Sequence, residues 1–308
     1  MEGMDLAIMA PDGKVTVNGE RLAAGACAPD AAWLSLDVMI HRTGEVFALE
    51  ATGGKNLKWV QTANAGLDNP VYAQLAKTGT RLTNSDAQAI SIAEYTLAYA
   101  LQRFQDIDSR AANQREAKWR YSGFRELAGS TWLIIGFGNI GTEIAKRARA
   151  FDCEILGVRR SIQSDPLADE MGTMADLSEY LPQADVVVLA CALNNETRGL
   201  ADAKFFSSMK QDSLLINIAR GALIDDDAML AALADGPLDH AVLDAFVEEP
   251  LPAGHPFWGH DNVTVTAHTS NAGSGLMDRS DALFIENMGR WLRSEPLRNE
   301  VDLKALFG

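Results

Sequence analysis

From Thr131 onward the chain alternates between short, wholly apolar runs and longer stretches that are apolar on one side only. The runs are TWLIIG, EILGVR, ADVVVLAC, LLINIA, HAVLDAF and NVTVTAH; between them lie NIGTEIAKRARAF, DAKFFSSMK and DDDAMLAALADG. In the first of these intervening stretches Ile140, Ile144, Ala148 and Phe151 recur at helical spacing. Strands with no polar alternation belong in a parallel sheet covered on both faces. The pattern therefore predicts a doubly wound α/β domain of Rossmann type.

The first hundred residues are less regular. LAIMA, WLSLDVMI and LKWVQTA are predicted strands with short helices between them. Two long helical stretches follow, one over 91–120 and one over 274–295. They divide the chain into a smaller α/β lobe, 1–98 with 275–308, and a central domain, 99–274.

Composition narrows the partners. The formal net charge of -15 argues against nucleic acid and against anionic membranes. No apolar run reaches a membrane-spanning length, and the N-terminus carries no signal-peptide pattern. Cys27, Cys153 and Cys191 form no C-x-x-C pair and read as thiols of a reducing compartment. A cytoplasmic protein is expected. Asp225, Asp226 and Asp227 read as an acidic first helical turn rather than a metal site.

Gly136, Gly138 and Gly141 form G-x-G-x-x-G between a predicted strand and a predicted helix, the context in which this motif holds a dinucleotide. The first glycine permits the turn, the second lets backbone approach the pyrophosphate, and the third allows helix to pack on strand. Arg159 follows 18 residues after Gly141, where NAD-binding chains carry a ribose-binding acid. With Arg160 beside it and Ser161 next, the position favours the 2′-phosphate of NADP over NAD. The alternative is that both arginines lie on a solvated loop and NAD is used without an acid.

Ligands of open α/β sheets bind beyond the carboxyl ends of the strands. Arg220 follows LLINIA, Glu248 and Glu249 follow HAVLDAF, and His268 ends NVTVTAH. A cation, a carboxylate and an imidazole thus reach the edge that carries the glycine loop. His41, His240, His255 and His260 read as structural or surface residues, and Trp119 and Trp291 as packing.

The segments GFGNIG, MKQDSLLINIARGALIDDDAML, LDAFVEEPLPAGHPFW, NVTVTAHTS and EPLRNEVD, with LKWVQTANAGLDN and AISIAEYTLAYAL upstream, resemble the D-isomer-specific 2-hydroxyacid dehydrogenases. The arginines after the second strand make the glyoxylate/hydroxypyruvate reductase type the most similar. The resemblance implies a flavodoxin-like substrate-binding lobe beside the dinucleotide-binding domain, and hydride transfer between NADP(H) and a small 2-oxo or D-2-hydroxy acid. It implies that Arg220 holds the substrate carboxylate and carbonyl, that His268 exchanges the proton and that Glu249 orients His268. Asp244 would contact the nicotinamide carboxamide. Asn139, Ile140, Ala192, Ile218 and Ala219 would contribute backbone contacts to the cofactor, and Ala65 and Gly66 would receive the substrate carboxylate. A homodimer through the nucleotide domain is also implied, and no added regulatory domain is expected. Ala267 and Ala192 stand where the family commonly has proline, and Asn64 where it has glycine. A second reading is a dinucleotide-sensing binding protein, like the corepressors built on this fold, with little turnover.

Overall fold

The computed structural model describes residues 4–53, 56–67 and 70–303. Asp68 and Asn69 of the LKWVQTANAGLDN segment, and the residues after 303, lie outside them. Two compact units result. One contains the described residues up to Ala87 and those from Ser274 onward; the other is Gln88–Gly273. This division falls at 87/88, where the sequence expectation placed it at 98/99. The reason is a helix, Ala89–Phe104, that packs wholly within the second unit.

The first unit begins with an antiparallel sheet of β1 (Ala7–Met9), β2 (Val15–Val17) and β3 (Glu20–Arg21). Then come β4 (Ala31–Leu34), α1 (Leu36–Ile40), α2 (Gly44–Gly53), β5 (Trp59–Thr62), α3 (Pro70–Lys77) and β6 (Arg81–Thr83). The second half of WLSLDVMI is thus helix α1 rather than strand. Strands β4, β5 and β6 form a parallel sheet in that order, around a core of Val60, Tyr72, Leu75 and Leu82.

The second unit opens with α4 (Ala89–Phe104) and α5 (Ile107–Arg115). The single helix expected over 91–120 breaks at Asp106, whose φ of 50° is left-handed. Nothing on α5 is buried, so no packing holds the two halves in line. Next come β7 (Thr131–Ile135), α6 (Asn139–Arg149), β8 (Glu154–Val158), β9 (Glu170–Gly172), α7 (Leu177–Tyr180) and β10 (Val186–Leu189). The unit continues with α8 (Ala203–Ser207), β11 (Ser213–Asn217), α9 (Asp226–Asp235), β12 (Leu238–Leu243) and β13 (Val263–Val265). Strand β9, absent from the sequence expectation, is a three-residue edge strand.

All seven strands, β7 to β13, run parallel in the order β13-β12-β11-β10-β7-β8-β9. Alternate residues of the apolar runs serve the two faces. Leu133, Ile135, Val187, Leu189 and Leu215 enter the core under α7, α8 and α9. Trp132, Ile134, Val186, Val188, Leu214 and Ile216 enter the core under α4 and α6. The strand order reverses between β7 and β10, which places a ligand crevice at their carboxyl ends.

The last helix, α10 (Leu276–Leu292), returns to the first unit. There Phe284 stacks on Trp33 at 4.4 Å, and Trp291 stacks on Trp59 at 5.6 Å, so Trp291 is packing as expected. Trp119, in the second unit, is not: it is 103% exposed, and Tyr121 97%. No described helix is long and apolar enough to cross a membrane.

Candidate active site

The glycine loop sits at the reversal of strand order. Gly136 has φ +103°, and a Cβ there would lie 2.4 Å from the backbone nitrogen of Cys191, in the loop after β10. A Cβ on Gly141 would lie 2.6 Å from the carbonyl oxygen of Gly136. Both glycines are therefore required by the protein's own packing. Gly138 is different. It caps α6, is exposed, and a Cβ there would meet nothing within 4 Å. The space beside it, next to the unpaired first N–H groups of α6, fits a dinucleotide pyrophosphate. Asn139 and Ile140 form the first turn of that helix. Ala192 is exposed after β10, while Ile218 and Ala219 are buried after β11. Burial pushes the Cys191 thiol up to about 11, which keeps it protonated beside the loop.

At the end of β8, Arg159 folds back over the ring of Phe137, with its guanidinium carbon 5.4 Å from the centroid. Its Nε donates to the carbonyl of Phe137, and its Nη2 donates to Asp165 at 3.1 Å. Arg160 and Ser161 are exposed.

Arg220 stands in extended conformation after β11. Asn217, fully buried at the strand end, shapes its turn. The Asn217 side chain accepts from the Ala219 N–H at 3.0 Å and donates to the Arg220 carbonyl at 2.9 Å. The Arg220 guanidinium donates through Nη1 to the Ala219 carbonyl at 2.7 Å. Gly221 follows with no room for a side chain: a Cβ would lie 2.1 Å from the backbone carbon of Phe246. The Arg220 turn therefore presses against the loop that carries Glu249.

That loop fixes Glu249 from both sides. The Phe246 N–H donates to Oε1 at 2.9 Å, and Nδ1 of His268 meets Oε2 at 2.9 Å. Nδ1 is spoken for by the carboxylate, so Nε2 is the ring atom left to exchange a proton. Among the described residues no protein group bonds to Nε2. The two side chains are 39% and 37% exposed, within reach of a small ligand. Glu248, next in sequence, makes no such contact.

His268 has φ 53°, left-handed for a non-glycine residue. A buried carboxylate holds this turn. Asp244, 1% exposed, accepts from Thr266 Oγ1 at 2.6 Å, from the Thr269 N–H at 2.8 Å and from the Ser270 N–H at 3.0 Å. Tyr95 of α4 bonds the Thr266 hydroxyl at 2.7 Å, and burial pushes the Tyr95 hydroxyl up, so it stays a donor. Asn217, Thr266 and Tyr95 were missed in the sequence; a polar residue ending the apolar run LLIN was the one available signal. Ala65 and Gly66 lie in the first unit, after β5, where Asn84 donates to the Ala65 carbonyl at 3.0 Å. Among the described residues no cluster of His, Cys, Asp and Glu is placed to hold a metal.

Residues 97–270 match the model of the D-isomer specific 2-hydroxyacid dehydrogenase, NAD binding domain. The chain belongs to this family. It is 30% identical to the human glyoxylate reductase/hydroxypyruvate reductase, over 81% of this chain and 78% of that one. It is 31% identical to the D-3-phosphoglycerate dehydrogenase of Methanocaldococcus jannaschii over 87% of this chain, and spans about half that relative's length, 52%. Among solved structures, the D-isomer specific 2-hydroxyacid dehydrogenase of Xanthobacter autotrophicus Py2, in complex with NADPH and MES, superposes with a TM-score of 0.71. It is 29% identical, with 82% of this chain and 80% of that chain covered. Family membership agrees with the parallel sheet, its strand order and the glycine loop. Ala267, where the family commonly has proline, sits inside the turn that Asp244 pins at three points.

Proposed function

We propose that the protein is an NADP(H)-dependent reductase of small 2-oxo acids, of the glyoxylate/hydroxypyruvate type. The observation that carries this reading is the His268–Glu249 pair at 2.9 Å, joined to the Arg220 turn by the contact at Gly221. Relatives named for glyoxylate and hydroxypyruvate support the substrate class. The absence of an acid at position 159 and the NADPH bound in the Xanthobacter relative support the cofactor.

The cofactor, when bound along the glycine loop, supplies the hydride that reduces C2 of the oxo acid. Gly136, Gly138, Asn139, Ile140 and Gly141 would hold it, with Ala192, Ile218 and Ala219 along the strand ends and Arg160 and Ser161 after β8, while Asp244 would act from behind by holding the His268 turn. The Arg220 guanidinium binds the flat carboxylate and carbonyl together. His268 would donate its Nε2 proton to the carbonyl oxygen as negative charge builds there. Glu249, held by the Phe246 N–H, keeps the ring oriented with Nε2 turned to the reacting oxygen.

NADPH consumption with glyoxylate, hydroxypyruvate, pyruvate and phenylpyruvate, repeated with NADH, tests the reading. Turnover of the short oxo acids with NADPH is expected; inactivity across the panel with coenzyme bound removes it. Replacing His268→Ala is expected to lower kcat by about a thousandfold while coenzyme affinity stays within threefold.

A further inference from the structure

Two arginines follow β8, and they differ in their surroundings. Arg159 is tied on two sides. Its Nε bonds the Phe137 carbonyl inside the glycine loop, and its Nη2 bonds Asp165, with both side chains largely covered at 24% and 15% exposed. Asp165 is fixed in turn, because its other oxygen accepts the Leu167 N–H at 3.1 Å. Below, the Phe137 ring is buried against Gly157, where a Cβ would lie 2.7 Å from it. The backbone N–H groups of Gly136 and Phe137 both bond the Val158 carbonyl at 3.0 Å. Arg159 thus closes a ring that joins the glycine loop to the loop after β8. A phosphate brought to Arg159 would also meet the Asp165 carboxylate, a like charge. Arg160 and Ser161 are exposed, and among the described residues their side chains bond to nothing.

We infer that the two arginines divide the work: Arg159, locked by Asp165, braces the glycine loop for any nicotinamide dinucleotide, and Arg160 with Ser161 selects for the 2′-phosphate. Arg159 is then a positioning residue, and Asp165 its anchor. The inference rests on the dinucleotide reading above and separates two roles that the sequence assigns jointly.

Calorimetric titration of the whole chain with NADP+ and with NAD+ tests it. Arg160→Ala is expected to weaken NADP+ by tenfold or more and NAD+ by less than threefold. Arg159→Ala is expected to weaken both by a common factor of tenfold or so, with the number of sites unchanged. Partial unfolding would instead lower the number of sites and leave the affinity alone. Asp165→Asn keeps the arginine and removes its anchor, so it serves should Arg159→Ala not fold. It is expected to weaken both coenzymes alike. Loss confined to NADP+ in Arg159→Ala, or a tenfold gain for NADP+ alone in Asp165→Asn, overturns the inference, because Arg159 would then be reading the phosphate. A wild-type chain that binds NAD+ more tightly than NADP+ overturns the Arg160 assignment. Binding of neither coenzyme by the wild type sinks the dinucleotide reading itself.

Discussion

Single atoms decide much of this site. Gly221 lacks the Cβ that would otherwise strike the Phe246 backbone at 2.1 Å, and the Phe246 N–H is the group that holds Glu249. Backbone cannot yield to a methyl group as a flexible side chain can. Gly221→Ala is therefore expected to cost about 1–3 kcal/mol and to lower turnover at least tenfold, because the Glu249 loop must move away. Urea unfolding and steady-state kinetics on the same variant check both effects; an unperturbed variant would show that the loop contact does not shape the site. The residue types were readable in the sequence: an arginine, an acid and a histidine past three strand ends. The pairing of Glu249 with His268 followed from the family resemblance; the ties of Arg159 did not. Spacing placed Arg159 with Arg160 and Ser161 near a 2′-phosphate or on a solvated loop; its partners in the structure are the Phe137 carbonyl and Asp165, 22 and 6 residues away.

Among the elements, the turn over 266–270 shows how a loop can present a fixed group. It lacks a proline at position 267, and His268 sits at φ 53°. Three donors converge instead on one buried carboxylate, Asp244. Asp244→Ala would leave those donors without their acceptor in a buried place. The expected cost is about 2–4 kcal/mol, with a further loss of turnover as the His268 ring loses its direction. Thermal unfolding and kcat measured together test this; a variant with wild-type stability would mean that the turn holds itself. The helices show where periodicity misleads. The stretch over 91–120 reads as one helix, but α5 buries no residue, and the chain turns at Asp106. Local preference alone continued the helix on paper, and the absence of a packing surface ended it.

The whole molecule carries a formal charge of -15, a field that favours protonation, and at His240 burial overrides it. His240, on β12, bonds Thr264 at 2.9 Å. Burial, with the Arg103 charge adding to it, pushes its pKa from 6.5 down to about 4. A histidine depressed in the folded state contributes stability above its unfolded pKa and loses it on acidification. Stability should therefore fall as pH drops from 6.5 toward 4, since only the unfolded chain takes up the proton. His240→Gln should remove up to about 3 kcal/mol of that fall. Urea midpoints at pH 7 and pH 5 for both proteins check it, and parallel pH dependences would count against this assignment. At this scale the parallel sheet, the glycine loop and the order in which reactive groups reach its edge were legible along the chain. Those follow from apolar periodicity, which is local and repeated. Tertiary structure alone decided that the Phe246 N–H holds Glu249, that Asp244 pins the His268 turn from 26 residues before Ser270, and that Asp165 takes one of the arginines. Such pairings depend on side-chain direction and on backbones packed close from distant parts of the chain, and no spacing along one strand encodes them.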